Sequence, residues 1–225
     1  MSVHFKRETE KLKKKILTIG AMVEENVKKA IDHIANNNDD EVIKEVKKLD
    51  DKIDQYEVDV EEECLKILAL YQPVANDLRY IIAVLKINND LERVSDHAVN
   101  IVKQTRHLRK KYHDDLNVDF TVMGEKVIIM LKDSLDALIG LDAELARKVR
   151  EADDEVDEIH KKMYSEIEKI IKKDKDATGY MMNVMQISRN LERIADLATN
   201  IAEDVIYLIE GRIVRHGMDV VEESE

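Results

Sequence analysis

The sequence predicts an all-α protein made of two tandem three-helix bundles. Three observations support this prediction: helix-breaking residues are scarce, apolar residues recur at helical spacing, and the chain contains an internal repeat of about 100 residues. The 225 residues include one proline and six glycines, too few to punctuate a fold of many short strands. Hydrophobic residues make up 44% of the chain and aromatic residues 4%, so the core is expected to be aliphatic.

The first half of the chain contains three predicted helices, at roughly 3–36, 40–71 and 74–112. Polar residues at 36–40 end the first helix and offer a cap for the second. Gln72-Pro73 separates the second from the third, because proline fits the first turn of a helix and disfavours helix in the residue before it. Apolar residues of the third helix alternate at spacings of three and four, which is typical of a bundle seam: Val84, Ile87, Leu91, Val94, Ala98 and Ile101.

The second half contains three more predicted helices, at roughly 118–140, 142–172 and 176–215. Gly140 is expected to end the fourth helix and Asp142 to cap the fifth, and the polar residues 173–176 interrupt the pattern before the sixth. The sixth helix has the same apolar rhythm as the third: Val184, Ile187, Leu191, Ile194, Ala198, Ile201, Val205 and Leu208.

The two halves are related by sequence. Residues 91–101 read LERVSDHAVNI and residues 191–201 read LERIADLATNI, with seven of eleven positions identical. A second match, DDKID at 50–54 against DDEVD at 153–157, lies one helix earlier in each half. The repeated unit therefore holds three helices, and we expect two domains, residues 1–115 and 116–225.

Acidic residues are repeated along with the apolar ones. At about 100° per residue, Glu92, Asp96 and Asn100 form a ladder that faces away from the seam of the third helix. Two carboxylates at i and i+4 repel each other mildly, so stability alone does not explain the pattern. If the second and third helices of each half lie antiparallel, their acids converge on one surface patch. The predicted metal ligands are Asp50, Asp54, Glu92 and Asp96 in the first half and Asp153, Asp157, Glu192 and Asp196 in the second, with Asn100 and Asn200 as further candidates.

Carboxylates in such number suit a divalent or trivalent cation such as iron, zinc, manganese or magnesium, and the sequence does not select among these. The alternative is that the acids are ordinary solvated residues of an acidic protein. Arg93 and Arg193, which are also repeated, either neutralise the neighbouring acids or bind phosphate as planar donor forks.

Several function classes are disfavoured by the composition. The net charge of −12 provides no cationic face for nucleic acid. The chain shows no apolar stretch of a signal peptide and no run long enough to cross a bilayer, so we expect a soluble cytoplasmic protein. The lone Cys64 lies in an apolar stripe and is expected in the core.

Known catalytic patterns are missing from the sequence. It contains no Glu-x-x-His of the di-iron kind, no glycine-rich phosphate loop and no nucleophile elbow. Asp157-x-x-His160 comes nearest to the first of these, and its counterpart Asp54-x-x-Glu57 lacks the histidine. We therefore expect a regulator that is not an enzyme. The alternatives are a carboxylate-bundle metal store or metalloenzyme, and a structural helical scaffold.

The segment from Asp77-Leu78-Arg79 into residues 86–101, together with residues 189–201, resembles the hallmark motifs of the PhoU family, and the likeness extends over essentially the whole chain. The resemblance implies two three-helix bundles related by pseudo-twofold symmetry. It also implies surface metal clusters held by the eight acids named above.

The function implied by the resemblance is negative control of phosphate uptake and of the phosphate-starvation response. The implied partners are the ATPase subunit of the phosphate ABC transporter, a sensor histidine kinase where one is present, and a second copy of the chain in a homodimer. Partner-binding candidates are Asp77, Arg79, Arg93 and Arg193. The second half departs from the motif, with Ala177, Thr178 and Gly179 where the first half has Asp77, Leu78 and Arg79.

Overall fold

The fold consists of six long helices. The computed structural model describes residues 3–36, 40–108, 118–212 and 214, and these ranges contain no β-strand. The helices are α1 (Val3–Asn36), α2 (Asp40–Tyr71), α3 (Ala75–Leu108), α4 (Thr121–Gly140), α5 (Ala143–Lys173) and α6 (Thr178–Glu210). The predicted all-α class and helix number are confirmed. The predicted end of the third helix at residue 112 and the polar break at 113–117 lie outside the described residues, as do residues 37–39 of the first break.

The connections follow the predicted boundary signals with two corrections. Asp142 caps α5 as expected, since its side chain accepts a hydrogen bond from the backbone N–H of Leu145 at 3.0 Å. The left-handed residue after α4, however, is Leu141 with φ of 50°, and Gly140 is still helical. The sixth helix ends at Glu210 rather than 215, because Gly211 with φ of 73° takes the left-handed conformation of a helix C-cap.

Each half is a bundle in which all three helices touch one another. Helix α3 packs against α1 and α2, and α6 packs in the same way against α4 and α5. The two halves then join mainly through α3 and α6, which make the most extensive helix contact in the molecule, with a second contact between α1 and α4. The repeated helices are thus the central pair of the structure.

The core is aliphatic and continuous between the two halves. Every predicted seam residue of α3 and α6 is buried except Leu208, which is partly buried and packs against the core. Cys64 is fully buried, as predicted, and burial raises the pKa of its thiol to about 12. The predicted seam is not the whole buried surface of α3 and α6. Because each contacts three other helices, each also buries polar positions outside the seam, such as Asn88 and Ser95 in α3.

The α1–α4 contact depends on a small residue. A Cβ atom on Gly124 of α4 would come within 2.7 Å of Cγ2 of Ile31 in α1. Glycine at this position therefore allows the two helices to approach closely. None of the described helices combines the length and the apolar character that crossing a bilayer requires.

Candidate metal centres

The structure brings the four acids of the first half together. Asp50 and Asp54 on α2 face Glu92 and Asp96 on α3, because the two helices pack side by side. Burial is the main cause that raises the pKa of Glu92, and the charges of Asp96 and Asp54 raise it further. The pKa of Asp54 is likewise raised by burial and then by Asp96. We call these four residues the first acidic cluster.

Two consecutive buried hydrogen bonds, which were not predicted from the sequence, end at Asp50 of this cluster. The amide Nδ2 of Asn26 in α1 donates to Oγ of Ser95 in α3 at 2.9 Å, and Ser95 donates to Oδ1 of Asp50 at 2.6 Å. Asn26 and Ser95 are fully buried. The hydrogen bond from Ser95 holds the carboxylate of Asp50 and favours its charged form, although burial still raises the pKa of Asp50 overall. The sequence signal for these hydrogen bonds was a polar residue at a core-facing position of its helix, Asn26 in α1 and Ser95 in α3.

The second half repeats the arrangement with its own four acids. Asp153 and Asp157 on α5 face Glu192 and Asp196 on α6, and we call these residues the second acidic cluster. Burial, followed by the charges of Asp196 and Asp157, raises the pKa of Asp153 to about 6. Position 195, equivalent to Ser95, is a buried alanine, so no hydroxyl at that position supports Asp153.

Several basic side chains accompany the second cluster, and Nζ of Lys161 lies 3.3 Å from Oδ2 of Asp157. Nη1 of Arg193 lies 3.4 Å from Oδ2 of Asp196, and its Nε lies 3.8 Å from Oε2 of Glu192. His160 lies close enough to Glu192 to oppose the rise of its pKa, which burial and Asp196 cause. Nδ1 of His160 is hydrogen-bonded to Oγ of Ser188 at 2.7 Å. His160 was not among the predicted metal ligands, although it follows Asp157 by three residues.

The acids are less exposed than the helical wheel indicated. The ladder was predicted to face away from the seam, but the helical wheel did not show that α3 and α6 are covered on more than one side. Glu92, Glu192 and Asp196 are partly buried, whereas Asp96 is exposed. Burial is accordingly the largest cause of every raised pKa in the two clusters.

The remaining polar candidates lie on α3 and α6. Nη1 of Arg93 binds Oδ1 of Asp90 at 3.2 Å, so its ion pair is not with the first cluster. Asn100 is partly buried on α3. Asn200 lines a cavity of about 220 Å³ together with Arg93, Arg193 and Asp196.

Asp77 and Arg79 lie at the other end of α3. Asp77 lines a groove of about 430 Å³ together with Lys13, Tyr80 and Leu208. The guanidinium of Arg79 lies 5.7 Å from the ring centroid of Tyr207 in α6, a cation–π contact that joins the two halves. Gly211 lies against the same guanidinium, where a Cβ atom would come within 2.7 Å of Nη1.

The chemistry of the two clusters fits a hard cation, because carboxylate oxygens are the preferred ligands of magnesium, manganese and calcium. Imidazole suits zinc and iron, so His160 would widen the range of metal ions that the second cluster can bind. Over the described ranges, no three His, Cys, Asp or Glu side chains already stand in an arrangement that could hold a metal ion. Binding would therefore require rotation of the acidic side chains, while the helices that carry them already lie side by side.

Comparison with known proteins gives a consistent result along the chain. The family described as "PhoU domain" matches residues 16–105 and again 120–205. The phosphate-specific transport system accessory protein PhoU homolog of Aquifex aeolicus is 39% identical over 210 residues, covering 93% of this chain and 95% of that protein. The homolog of Pseudomonas aeruginosa is 36% identical over 217 residues, covering 96% of this chain and 89% of that protein.

Two solved structures share the fold. The crystal structure of PhoU from Pseudomonas aeruginosa superimposes with a TM-score of 0.88 at 35% sequence identity, covering 92% of this chain and 100% of that one. The structure of the phosphate transport system regulatory protein PhoU from Streptococcus pneumoniae gives a TM-score of 0.85 at 28% identity, covering 93% and 99% of the two chains.

Proposed function

Since this chain belongs to the PhoU family, we propose that it is a negative regulator of phosphate uptake and of the phosphate-starvation response. The observation that carries the proposal is the match of both repeats to proteins named as accessory or regulatory components of phosphate transport. The protein acts as an adaptor in the cytoplasm and catalyses no reaction. Its partners are the ATPase subunit of the phosphate ABC transporter and, where present, a sensor histidine kinase.

The regulatory role is tested by deleting the gene in the native host and measuring phosphate uptake under phosphate-replete conditions. We expect uptake and phosphate-starvation gene expression to rise in the deletion strain and to return to normal on complementation. Unchanged uptake and expression would contradict the proposal. Binding of the purified chain to the purified ATPase subunit, measured by calorimetry, tests the adaptor role directly. A helical scaffold without a regulatory role would bind neither partner.

Asp77 is the better of the two predicted partner-binding residues at the start of α3. Arg79 already contacts Tyr207, whereas Asp77 lines the groove beside Lys13. We therefore expect Asp77→Lys to weaken binding of the ATPase subunit without changing the melting temperature. Lys6→Glu, a charge reversal at an exposed position of α1 that does not line the groove, is the control.

Metal binding is the second part of the proposal. Asp50, Asp54, Glu92 and Asp96 would hold one cation site, and Asp153, Asp157, Glu192 and Asp196 the other. A bound cation would supply the positive charge that lets four neighbouring carboxylates, several of them partly buried, remain ionised next to one another. The convergence of acids from two helices in each repeat supports this part.

Titration of the metal-free protein with Mn²⁺, followed by electron paramagnetic resonance, tests the proposed sites. We expect saturable binding at each acidic cluster, and absence of saturable binding would overturn this part of the proposal. Oxidation of bound Fe²⁺ by oxygen with turnover would instead favour the alternative of a metal store or metalloenzyme. Light scattering of the same sample tests the proposed homodimer.

A further inference from the structure

The two acidic clusters differ in where the neighbouring arginine binds. Arg93 and Arg193 occupy equivalent places in the repeat, each directly after the glutamate of its cluster. Arg93 binds backward along its helix, to Asp90 three residues earlier, at 3.2 Å. Arg193 binds forward, to Asp196 three residues later, at 3.4 Å. The equivalent arginines of the two repeats therefore form their shortest ion pairs in opposite directions along the helix.

One sequence difference accounts for this divergence. The position equivalent to Asp90 is Asn190, which carries no charge. Both ends of its amide are engaged: Oδ1 lies 2.9 Å from Nδ1 of His97 in α3, and Nδ2 donates to the backbone oxygen of Gln186 at 2.7 Å. Arg193 therefore has no carboxylate three residues before it and pairs with Asp196 and Glu192 of the cluster.

The charge environments of the clusters differ accordingly. Within the described residues, no lysine, arginine or histidine forms an ion pair with an acid of the first cluster, and Asp50 accepts a hydrogen bond from the hydroxyl of Ser95 at 2.6 Å. In the second cluster, Arg193 lies 3.4 Å from Asp196 and 3.8 Å from Glu192, and Nζ of Lys161 lies 3.3 Å from Oδ2 of Asp157. The second cluster already contains a positive charge, whereas the first does not.

We propose that Arg193 is an internal counter-ion that competes with a divalent cation for Asp196 and Glu192, so that the first cluster binds the cation more tightly than the second. The proposal rests on the proposed metal binding and adds to it an order of filling and the residue pair, Asp90 and Asn190, that sets this order. A protein with two unequal sites responds to cation concentration in two stages. Because the ion pairs of Arg193 are partly exposed, the expected difference in affinity is moderate, roughly three- to tenfold.

The experiment measures Mn²⁺ affinity at one cluster at a time in the full-length, metal-free chain. Glu92→Ala with Asp96→Ala removes the first cluster and leaves the second for titration. Glu192→Ala with Asp196→Ala does the reverse. We expect the first cluster to bind roughly three- to tenfold more tightly than the second at low ionic strength. Equal affinities, or tighter binding at the second cluster, would overturn the proposal.

Substitution of the arginines provides a matched control within the same molecule. With the first cluster removed, Arg193→Gln is expected to raise the affinity of the second by roughly three- to tenfold. With the second cluster removed, Arg93→Gln is expected to leave the affinity of the first unchanged, since Arg93 binds Asp90. An unchanged second cluster in Arg193→Gln contradicts the proposal.

Asn190→Asp tests the cause of the divergence separately. The new carboxylate offers Arg193 the partner that Arg93 has, so the affinity of the second cluster should rise as it does in Arg193→Gln. If loss of the His97 contact unfolds this variant, as melting curves would show, Arg193→Gln still decides the matter. Absence of Mn²⁺ binding at both clusters would refute the proposed metal binding itself. If Mn²⁺ binds at both clusters and these substitutions leave its affinity unchanged, only the counter-ion role is refuted.

Discussion

Nζ of Lys86 in α3 lies 3.2 Å from Oδ1 of Asp204 in α6, and this ion pair joins the two repeats across their main contact. The Asp204 side chain is only 3% exposed, whereas that of Lys86 is 38% exposed. Lys86 also lies 5.1 Å from the ring centroid of Tyr207, on which Arg79 packs as well. The α3–α6 contact therefore depends on charge as well as on apolar packing.

Removing Lys86 should destabilise the protein. Lys86→Met leaves the buried carboxylate of Asp204 without this cation, and we expect the free energy of unfolding to fall by about 2 kcal/mol in urea denaturation. Lys126→Met is the control, because Lys126 pairs with the exposed Glu155 and such a pair contributes about 0–1 kcal/mol. Equal losses for the two variants would contradict the distinction.

Ser95 is expected to contribute to stability through the chain from Asn26 to Asp50. Ser95→Ala removes the acceptor of the Asn26 amide and the donor to Asp50. We therefore expect the free energy of unfolding, measured by denaturant titration, to fall by about 1–2 kcal/mol. The matched control is Ala195→Gly at the equivalent buried place in α6. In Ala195→Gly, the fall in the free energy of unfolding should reflect only helix propensity and one missing methyl group. Ser95→Gly, compared with Ala195→Gly, should show an additional fall from the lost hydrogen bonds.

Gly124 should tolerate no side chain. Gly124→Ala places a methyl group within 2.7 Å of Cγ2 of the partly buried Ile31, so the side chain or the helices must shift, and we expect a loss of about 1–3 kcal/mol. Gly179→Ala is the control, since no atom lies within 4 Å of the added Cβ. The control should stabilise the helix slightly, and a similar effect of both substitutions on the melting temperature would contradict the close approach of α1 and α4.

Removing two acids of the first cluster should not destabilise the metal-free fold. In Glu92→Ala with Asp96→Ala, the burial of the Glu92 carboxylate and its repulsion by Asp96, which together raise its pKa, both disappear, so the melting temperature without metal should stay the same or rise. Circular dichroism measures this directly. Unfolding of the double variant without metal would show that these acids are needed for the fold.

The raised pKa of Asp153 predicts a pH-dependent contribution to stability. The folded-state pKa of about 6 exceeds the value of about 3.9 expected for an unfolded chain. The folded state therefore retains a proton that the unfolded state releases, and this contribution is fully present below about pH 4 and lost as the pH rises through about 6. Asp153→Asn should raise the melting temperature relative to the wild type at about pH 7.5 and have little effect at about pH 4.

Glu155 offers a control of opposite sign. The hydrogen bond from Lys126 lowers the pKa of Glu155, so its contribution is present above the pKa of the unfolded chain and lost as the pH falls. Glu155→Gln should therefore lower the melting temperature at neutral pH, if only slightly, because the group is exposed. A pH profile in which both variants move in the same direction at neutral pH would contradict the assignment.

The sequence alone determined the six helices, the repeat and the identity of the converging acids. These features depend on local rules: apolar spacing of three and four, boundary residues such as Pro73 and Asp142, and eleven-residue segments shared between α3 and α6. A boundary is less certain when the signal is ambiguous. Gly140 indicated the end of α4, but the left-handed turn falls on Leu141.

The tertiary structure alone decided how deeply the acids are buried and which residues they meet. A helical wheel describes one helix about its own axis, so it did not show that α3 and α6 are covered by three neighbours each. Ser95 reaches Asp50 because α2 packs against α3, and Asn26 reaches Ser95 because α1 packs against α3. The contrasting directions of Arg93 and Arg193 depend on Asn190, whose amide is held by His97 from the other repeat. Such contacts join residues far apart in the chain, and their energies depend on the distances that packing sets.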